Sequence, residues 1–167
     1  TIAVREVPLK EASRFGIMNT REDGSIYEFE EKPKKPKSTN ASMGIYVFST
    51  DVLISALKED ALDATSEHDF GKNIIPKLLE EQARIFCYEF HGFWRDVGTI
   101  SSYHETSMDL LGPNPEFDLF GKEFPFMTNA PVRPPHYVGP DAVIEDAIIA
   151  NGCKVNGTVR HSILSTD

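Results

Sequence analysis

"RFGIMNTREDGSIYEFEEKP", residues 14–33, sets two β-rich runs on either side of Asp23-Gly24. Such a pair between two strand-like runs is a hairpin signal, because a tight turn needs residues that tolerate a positive φ. A turn centred there lays Gly16 opposite Glu31 and brings the glycine near Glu31 and Lys32. Pro33 follows, and its ring clashes with a helical predecessor. Lys32 is therefore expected to be extended and held at a strand end, off the flexible part of the loop. Lys34, Lys35 and Lys37 are expected to face solvent.

Around this hairpin, residues 1–111 alternate strand-like and helix-like runs, which predicts an α/β layer architecture. "TIAVREV" reads as a strand and "ASMGIYVFST" as a buried one. Thr50 then caps a helix, "DVLISALKE", with apolar residues at Val52, Leu53, Ala56 and Leu57. "SEHDFGKNIIPKLLEEQ" is a loop leading into a second helix. "RIFCYEF" is another strand, and "HGFWRDVGT" a short strand or turn. Ser102 with Glu105 makes a capping-box pattern that opens the helix "SYHETSMDLL". Six prolines between residues 112 and 136 mark an extended linker. From residue 138 onward a six-residue period emerges in Val143, Ile149 and Val155, with Ala147, Cys153 and Val159 following each by four. This spacing suits a parallel β-helix with one flat face per hexad, an ordinary sheet edge being the competing reading. The register fails at His161, where an aliphatic residue is due.

Composition narrows the function. The 167 residues suffice for one domain, or one domain and part of another. Hydrophobic content of 40 % and charged content of 26 % are those of a globular protein. A net charge of −9 argues against nucleic acid as a partner, since a polyanion needs a basic face. No apolar run approaches a membrane span, and no signal-peptide pattern opens the chain. Both ends read as cuts through a longer chain. Cys87 and Cys153 have neither metal-ligand spacing nor a disulfide framework, so reduced thiols in the cytoplasm are expected.

Few groups could carry chemistry. Asp96, between Arg95 and Val97 and before Gly98, occupies a usual place for a Mg²⁺ ligand in an α/β site, or else pairs structurally with Arg95. His68 and Asp69 lie together before a helix, without a nucleophile motif, and Asp69 suits a helix-entry residue. Cys87 reads as a core residue. No phosphate-cradling glycine loop occurs in these residues.

"RFGIM", "FEEKP", "ASMGIYVF", "HDFGKNIIP" and "WRDVGT" follow one another in one order, and in that order the chain resembles the ADP-glucose pyrophosphorylase (glucose-1-phosphate adenylyltransferase) family of bacterial glycogen synthesis. The resemblance implies the second half of a nucleotidyltransferase domain, a Rossmann-like mixed sheet flanked by helices, over residues 1–111. A proline-rich linker at 112–136 and the first coils of a left-handed parallel β-helix at 137–167 would follow. It implies glucose 1-phosphate and ATP as substrates, Mg²⁺ as cofactor and a cytoplasmic homotetramer as the full-length parent. It further implies Gly16, Glu31, Lys32 and Ser42 as ligands of glucose 1-phosphate, with Asp69, Phe70 and Trp94 lining the same pocket. Lys32 and Asp96 would be catalytic, Asp96 as one of two aspartates on the metal. The family's glycine- and arginine-rich ATP loop and the second aspartate are not among these residues, so the isolated chain is expected to be inactive. A non-catalytic regulatory subunit, a related sugar-1-phosphate nucleotidyltransferase and a hexapeptide acyltransferase are the competing readings.

Overall fold

In the computed structural model, which describes residues 1–122, 125–129 and 131–166, the chain forms two units, residues 1–92 and residues 93–167. The first is a five-stranded mixed sheet with helices on it. Strand β1 (Ile2–Glu6) leads through a single helical turn, α1 (Leu9–Ala12), to the hairpin β2 (Gly16–Thr20) and β3 (Ile26–Glu31). Strand β4 (Asn40–Tyr46), helix α2 (Thr50–Asp60), a π-helical turn at Phe70–Ile74, helix α3 (Ile75–Glu80) and strand β5 (Cys87–Glu89) follow. The strand order is β3-β2-β4-β1-β5, with β1 parallel to β5 and every other pairing antiparallel.

Period-2 alternation explains the core. Ile2 and Val4 point to one face with Met18 and Ile26, and are covered there by Ile74, Ile75, Leu78 and Ile85. Each fully buried side chain of this size contributes about 1.5–3 kcal/mol. A smaller cluster on Ala12, Ile17 and Ala41 packs with Val7 and Phe15.

The hairpin register is as the sequence predicts: Gly16 pairs with Glu31, and Gly24 takes the turn at φ 78°. Four local expectations fail. Lys32 is not extended but has φ 48°. The proline clash removes only the right-handed helical region, and the chain leaves β3 there in a bend. The Lys32 amide still donates to the Phe15 carbonyl, closing the hairpin one step beyond the last strand pair. Strand β4 is buried only in part, with Ile45 exposed, as is Val47 just beyond it. The residue at the N-terminal cap of α2 is Ser49, not Thr50, and no side chain bonds there. No strand spans residues 93–98, so Asp96 lies on irregular backbone. Lys37 is exposed as expected, and its Nζ also lies 2.7 Å from Glu28 Oε1, tying the lysine-rich loop back to β3.

The second unit holds helix α4 (Ile100–Met108) and the short strands β6 (Tyr137–Val138), β7 (Val143–Ile149), β8 (Lys154–Val155) and β9 (Thr158–Leu164). The capping box of α4 sits three residues earlier than its sequence pattern, on Thr99 and Ser102, each side chain bonding the other's amide at 3.1 Å. Glu105 instead accepts from Ser101. β6 pairs in parallel with β8, and β7 with β9, in two separate two-stranded sheets. Within β7 and β9, Asp146 (φ 45°) and His161 (φ 41°) turn the backbone at stacked positions, and His161 Nδ1 lies 2.7 Å from Asp146 Oδ2. The histidine that breaks the aliphatic period is thus a corner residue. No helix among the described residues is long and apolar enough to cross a membrane.

Candidate functional site

The end of the hairpin and the start of the π-helical turn bring five of the sequence-predicted residues together, Gly16, Glu31, Lys32, Asp69 and Phe70. A Cβ placed on Gly16 would lie 2.6 Å from Phe29 Cζ and 2.9 Å from Glu31 Oε2. A Cβ on Gly71 would lie 2.9 Å from that same Glu31 oxygen and 3.3 Å from Asp69 Oδ1. A side chain at Gly16 would have to displace the Phe29 ring, and one at Gly71 would push the Glu31 carboxylate aside, so the two glycines leave that carboxylate its place between them. Lys32 Nζ stands 3.7 Å from Glu31 Oε1 with its side chain 66 % exposed, so the ammonium is open to a ligand.

Asp69 is the N-cap of the turn. Its Oδ1 accepts the Gly71 and Lys72 amides, each at 2.8 Å, while its own amide donates to Asn73 Oδ1. The helix-entry reading of Asp69 therefore holds as geometry, and it leaves Oδ2 to accept from something else. Phe70 stacks on Tyr46, ring centroids 5.2 Å apart at 18°. Tyr46 lies on β4 four residues beyond Ser42, which puts both on one face of the strand. Burial raises the Tyr46 phenol above its ordinary value; a hydrogen bond with Ser42 opposes this, and the Asp69 and Glu31 carboxylates reinforce it. The phenol stays protonated and able to donate at neutral pH.

Sequence reading missed three residues here: Tyr46, Gly71 and Lys72. The i, i+4 spacing from Ser42 would have shown Tyr46. Lys72 lies next to the cap, and its ammonium is held above the ordinary value chiefly by a hydrogen bond to Glu67, with Asp69 and Glu31 adding to the field. Two carboxylates, two ammonium groups, a phenol and a serine hydroxyl make a site that can accept hydrogen bonds from hydroxyl groups and pair with an anion. Two clefts in this unit, of about 310 and 320 Å³, lie elsewhere, one between α2 and α3 and the other around Phe48, Ile75 and Ile85. The first is lined by four carboxylates (Asp51, Glu59, Asp60 and Glu81) and Lys77, and the second is mainly apolar; neither contains any of the sequence-predicted residues, and we place the candidate site at the hairpin end.

Trp94 and Asp96 belong to the second unit, where both are half-buried. The Asp96 carboxylate folds toward Gly98, with Oδ2 3.3 Å from where a Cβ there would stand. Arg95 reaches Asp109 Oδ2 at 3.5 Å and Glu116 Oε2 at 2.8 Å and lies over the Phe93 ring. Among the described residues, no group of three or more His, Cys, Asp or Glu side chains could hold a metal. Burial pushes the Cys87 thiol up to about 11, which keeps it protonated and excludes it as a nucleophile at neutral pH.

Residues 1–112 match the family model described as nucleotidyl transferase. Over 164 residues, 98 % of the chain, it is 52 % identical to the glucose-1-phosphate adenylyltransferase of Acetivibrio thermocellus, covering 38 % of that protein. It is 54 % identical to the enzyme of the same name from Clostridium perfringens, covering 42 % of it. The Geobacillus stearothermophilus enzyme of that name is 51 % identical, again over 98 % of the chain and 42 % of the relative. The chain spans about two-fifths of the length of the curated relatives it matches.

Proposed function

The chain belongs to the nucleotidyl transferase family, and on that premise we propose that it supplies the sugar-phosphate side of a glucose-1-phosphate adenylyltransferase. The reaction joins glucose 1-phosphate to ATP, giving ADP-glucose and pyrophosphate for glycogen synthesis. The observation that carries the reading is the convergence of Glu31, Lys32, Asp69 and Tyr46 about Gly16 and Gly71.

Nucleotidyl transfer needs little covalent help; it needs in-line positioning and neutralisation of charge. Glu31, Asp69 Oδ2 and Ser42 accept from or donate to the sugar hydroxyls, and the Phe70–Tyr46 stack gives the sugar ring an apolar floor. Lys32 takes the phosphate of glucose 1-phosphate, an anion that must approach another anion, and so lowers the repulsion between them. Mg²⁺ usually binds through one or two carboxylates together with substrate phosphates and water, and Asp96 fits as one such ligand, not as a complete site. When bound, the ion would neutralise charge on the substrate phosphates as the nucleotidyl group transfers.

In the intact protein we assign residues 1–111 to the nucleotidyltransferase domain, 112–136 to a linker and 137–167 to the first coils of a left-handed β-helix. The parallel β6–β8 and β7–β9 pairs with stacked corners support the last of these. A cytoplasmic homotetramer is the assembly this reading implies. The test is an assay of the intact protein with ATP, Mg²⁺ and a panel of sugar 1-phosphates. Pyrophosphate release that requires glucose 1-phosphate is expected; release with another sugar phosphate and none with glucose 1-phosphate would refute the assignment. Residues 1–167 alone should release none.

A further inference from the structure

Helix α2 fully buries none of its apolar side chains. The residue it buries is Asp60, 8 % exposed. Asp60 Oδ1 accepts the Ser66 hydroxyl at 2.6 Å, and Oδ2 lies 2.7 Å from His68 Nδ1. The His68 amide in turn donates to Ser66 Oγ at 3.0 Å. These three contacts close a ring around one turn of loop, and at its end His68 has φ 56°, a left-handed conformation uncommon outside glycine, for which asparagine, aspartate and histidine are the usual exceptions. The next two residues are Asp69, which caps the π-helical turn, and Phe70, which stacks on Tyr46. The ring's own hydrogen bonds hold the Asp60 carboxyl below its ordinary range, Ser66 contributing most and His68 next. The carboxylate is thus ionised at neutral pH, and His68 Nδ1 carries the proton between them. The other charges nearby are Asp63, which acts on Asp60, and Lys77, which acts on Asp63 from α3.

We infer that Asp60, acting through Ser66 and His68, is a positioning group for the sugar-phosphate site. It holds the left-handed turn at residue 68, and that turn sets where Asp69 and Phe70 enter. None of the three residues needs to touch substrate. Their chemistry is that of a clamp: an acceptor on a helix end with two donors on the loop that leaves it. The inference rests on the reading of Asp69 and Phe70 as groups that face glucose 1-phosphate.

The test separates strain from hydrogen bonding at residue 68 in the intact protein. His68→Gly removes the strain and the bond to Asp60; His68→Asn tolerates the left-handed backbone and keeps a side-chain donor. His68→Gly and Asp60→Asn should raise KM for glucose 1-phosphate about tenfold while leaving KM for ATP within about twofold. His68→Asn should recover most of the lost affinity. Amide exchange at Gly71 and Lys72, whose N–H groups bond Asp69, should quicken in His68→Gly and not in His68→Asn. His68 is exposed, so its variants should fold even if Asp60→Asn does not. Equal KM values for His68→Gly and wild type would overturn the inference, as would equal loss in His68→Gly and His68→Asn. If Lys32→Ala raises KM for glucose 1-phosphate while His68→Gly does not, the clamp alone is wrong. If neither does, the site assignment is wrong, and the clamp falls with it.

Discussion

The two units hold themselves together by different means. In the first, eight apolar side chains from the sheet, the π-helical turn, α3 and the segment before β5 form one buried cluster, most of them under 5 % exposed. In the second, Val155 is the one apolar side chain fully buried among the described residues, at 4 %. Its strands are joined instead by backbone ladders and by polar corners, where His161 meets Asp146, Arg160 meets Glu145, and Asp146 also accepts the Gly112 amide. A buried apolar core resists change steeply, because cavities form when it is trimmed. Half-exposed strands stabilised by surface pairs lose little from any single change.

That contrast can be broken by paired truncations. Met18→Ala, in the first core, should lose about 2–5 kcal/mol of unfolding free energy in a denaturant titration of the intact protein. Ile163→Ala, half-buried on β9 opposite Ile148, should lose about 1–2 kcal/mol. Equal losses would mean that the second unit has a core of comparable depth.

The contrast extends to function. The first unit is assigned binding and the second a metal ligand, so substitutions in the two should divide between KM and kcat. Asp96→Asn should lower kcat by about 100-fold or more, with the fold unchanged by circular dichroism, because a neutral amide is a poorer ligand for a hard cation. Retention of most of kcat at ordinary Mg²⁺ would make Asp96 structural.

The smallest expected effect concerns the polar corner. The Asp146 carboxyl is held below its ordinary value of 3.8, first by the bond from His161 and then by the Gly112 amide. A carboxyl lowered in the folded state contributes stability that is complete above its unfolded value and is lost as pH falls through the folded one. Asp146→Asn should therefore flatten the acid limb of a stability profile below about pH 4 and leave it parallel to wild type above. An unchanged acid limb would show that the corner contributes nothing.

What could be read from the sequence follows the same division. The Asp23-Gly24 turn sets the pairing of Gly16 with Glu31, because the position of a tight turn fixes the register of its hairpin, here with one irregularity between Asn19 and Thr20. Asp69 was legible as a helix entry because capping is local chemistry. Lys32 was misread, since the proline rule says which region its predecessor leaves and not which it takes. Tyr46 was hidden in a run that reads as core, its role visible only once β4 is known to face the π-helical turn. The clamp at Asp60 was hidden too: a carboxylate at a helix end reads as solvated, and only the return of Ser66 and His68 over it makes it a buried acceptor. In the second unit His161 looked like a broken repeat because six-residue spacing does not mark corners.

The central claim is that Lys32, at the end of the hairpin, binds the phosphate of the sugar substrate. A contact made equally in the ground and transition states changes KM and not kcat. Steady-state kinetics of Lys32→Ala and Lys35→Ala in the intact protein tests this most directly. Loss of a charge-assisted contact of about 2–3 kcal/mol corresponds to a KM for glucose 1-phosphate raised about 30- to 150-fold in Lys32→Ala, with KM for ATP little changed and Lys35→Ala close to wild type. Two alanine variants that behave alike would contradict it.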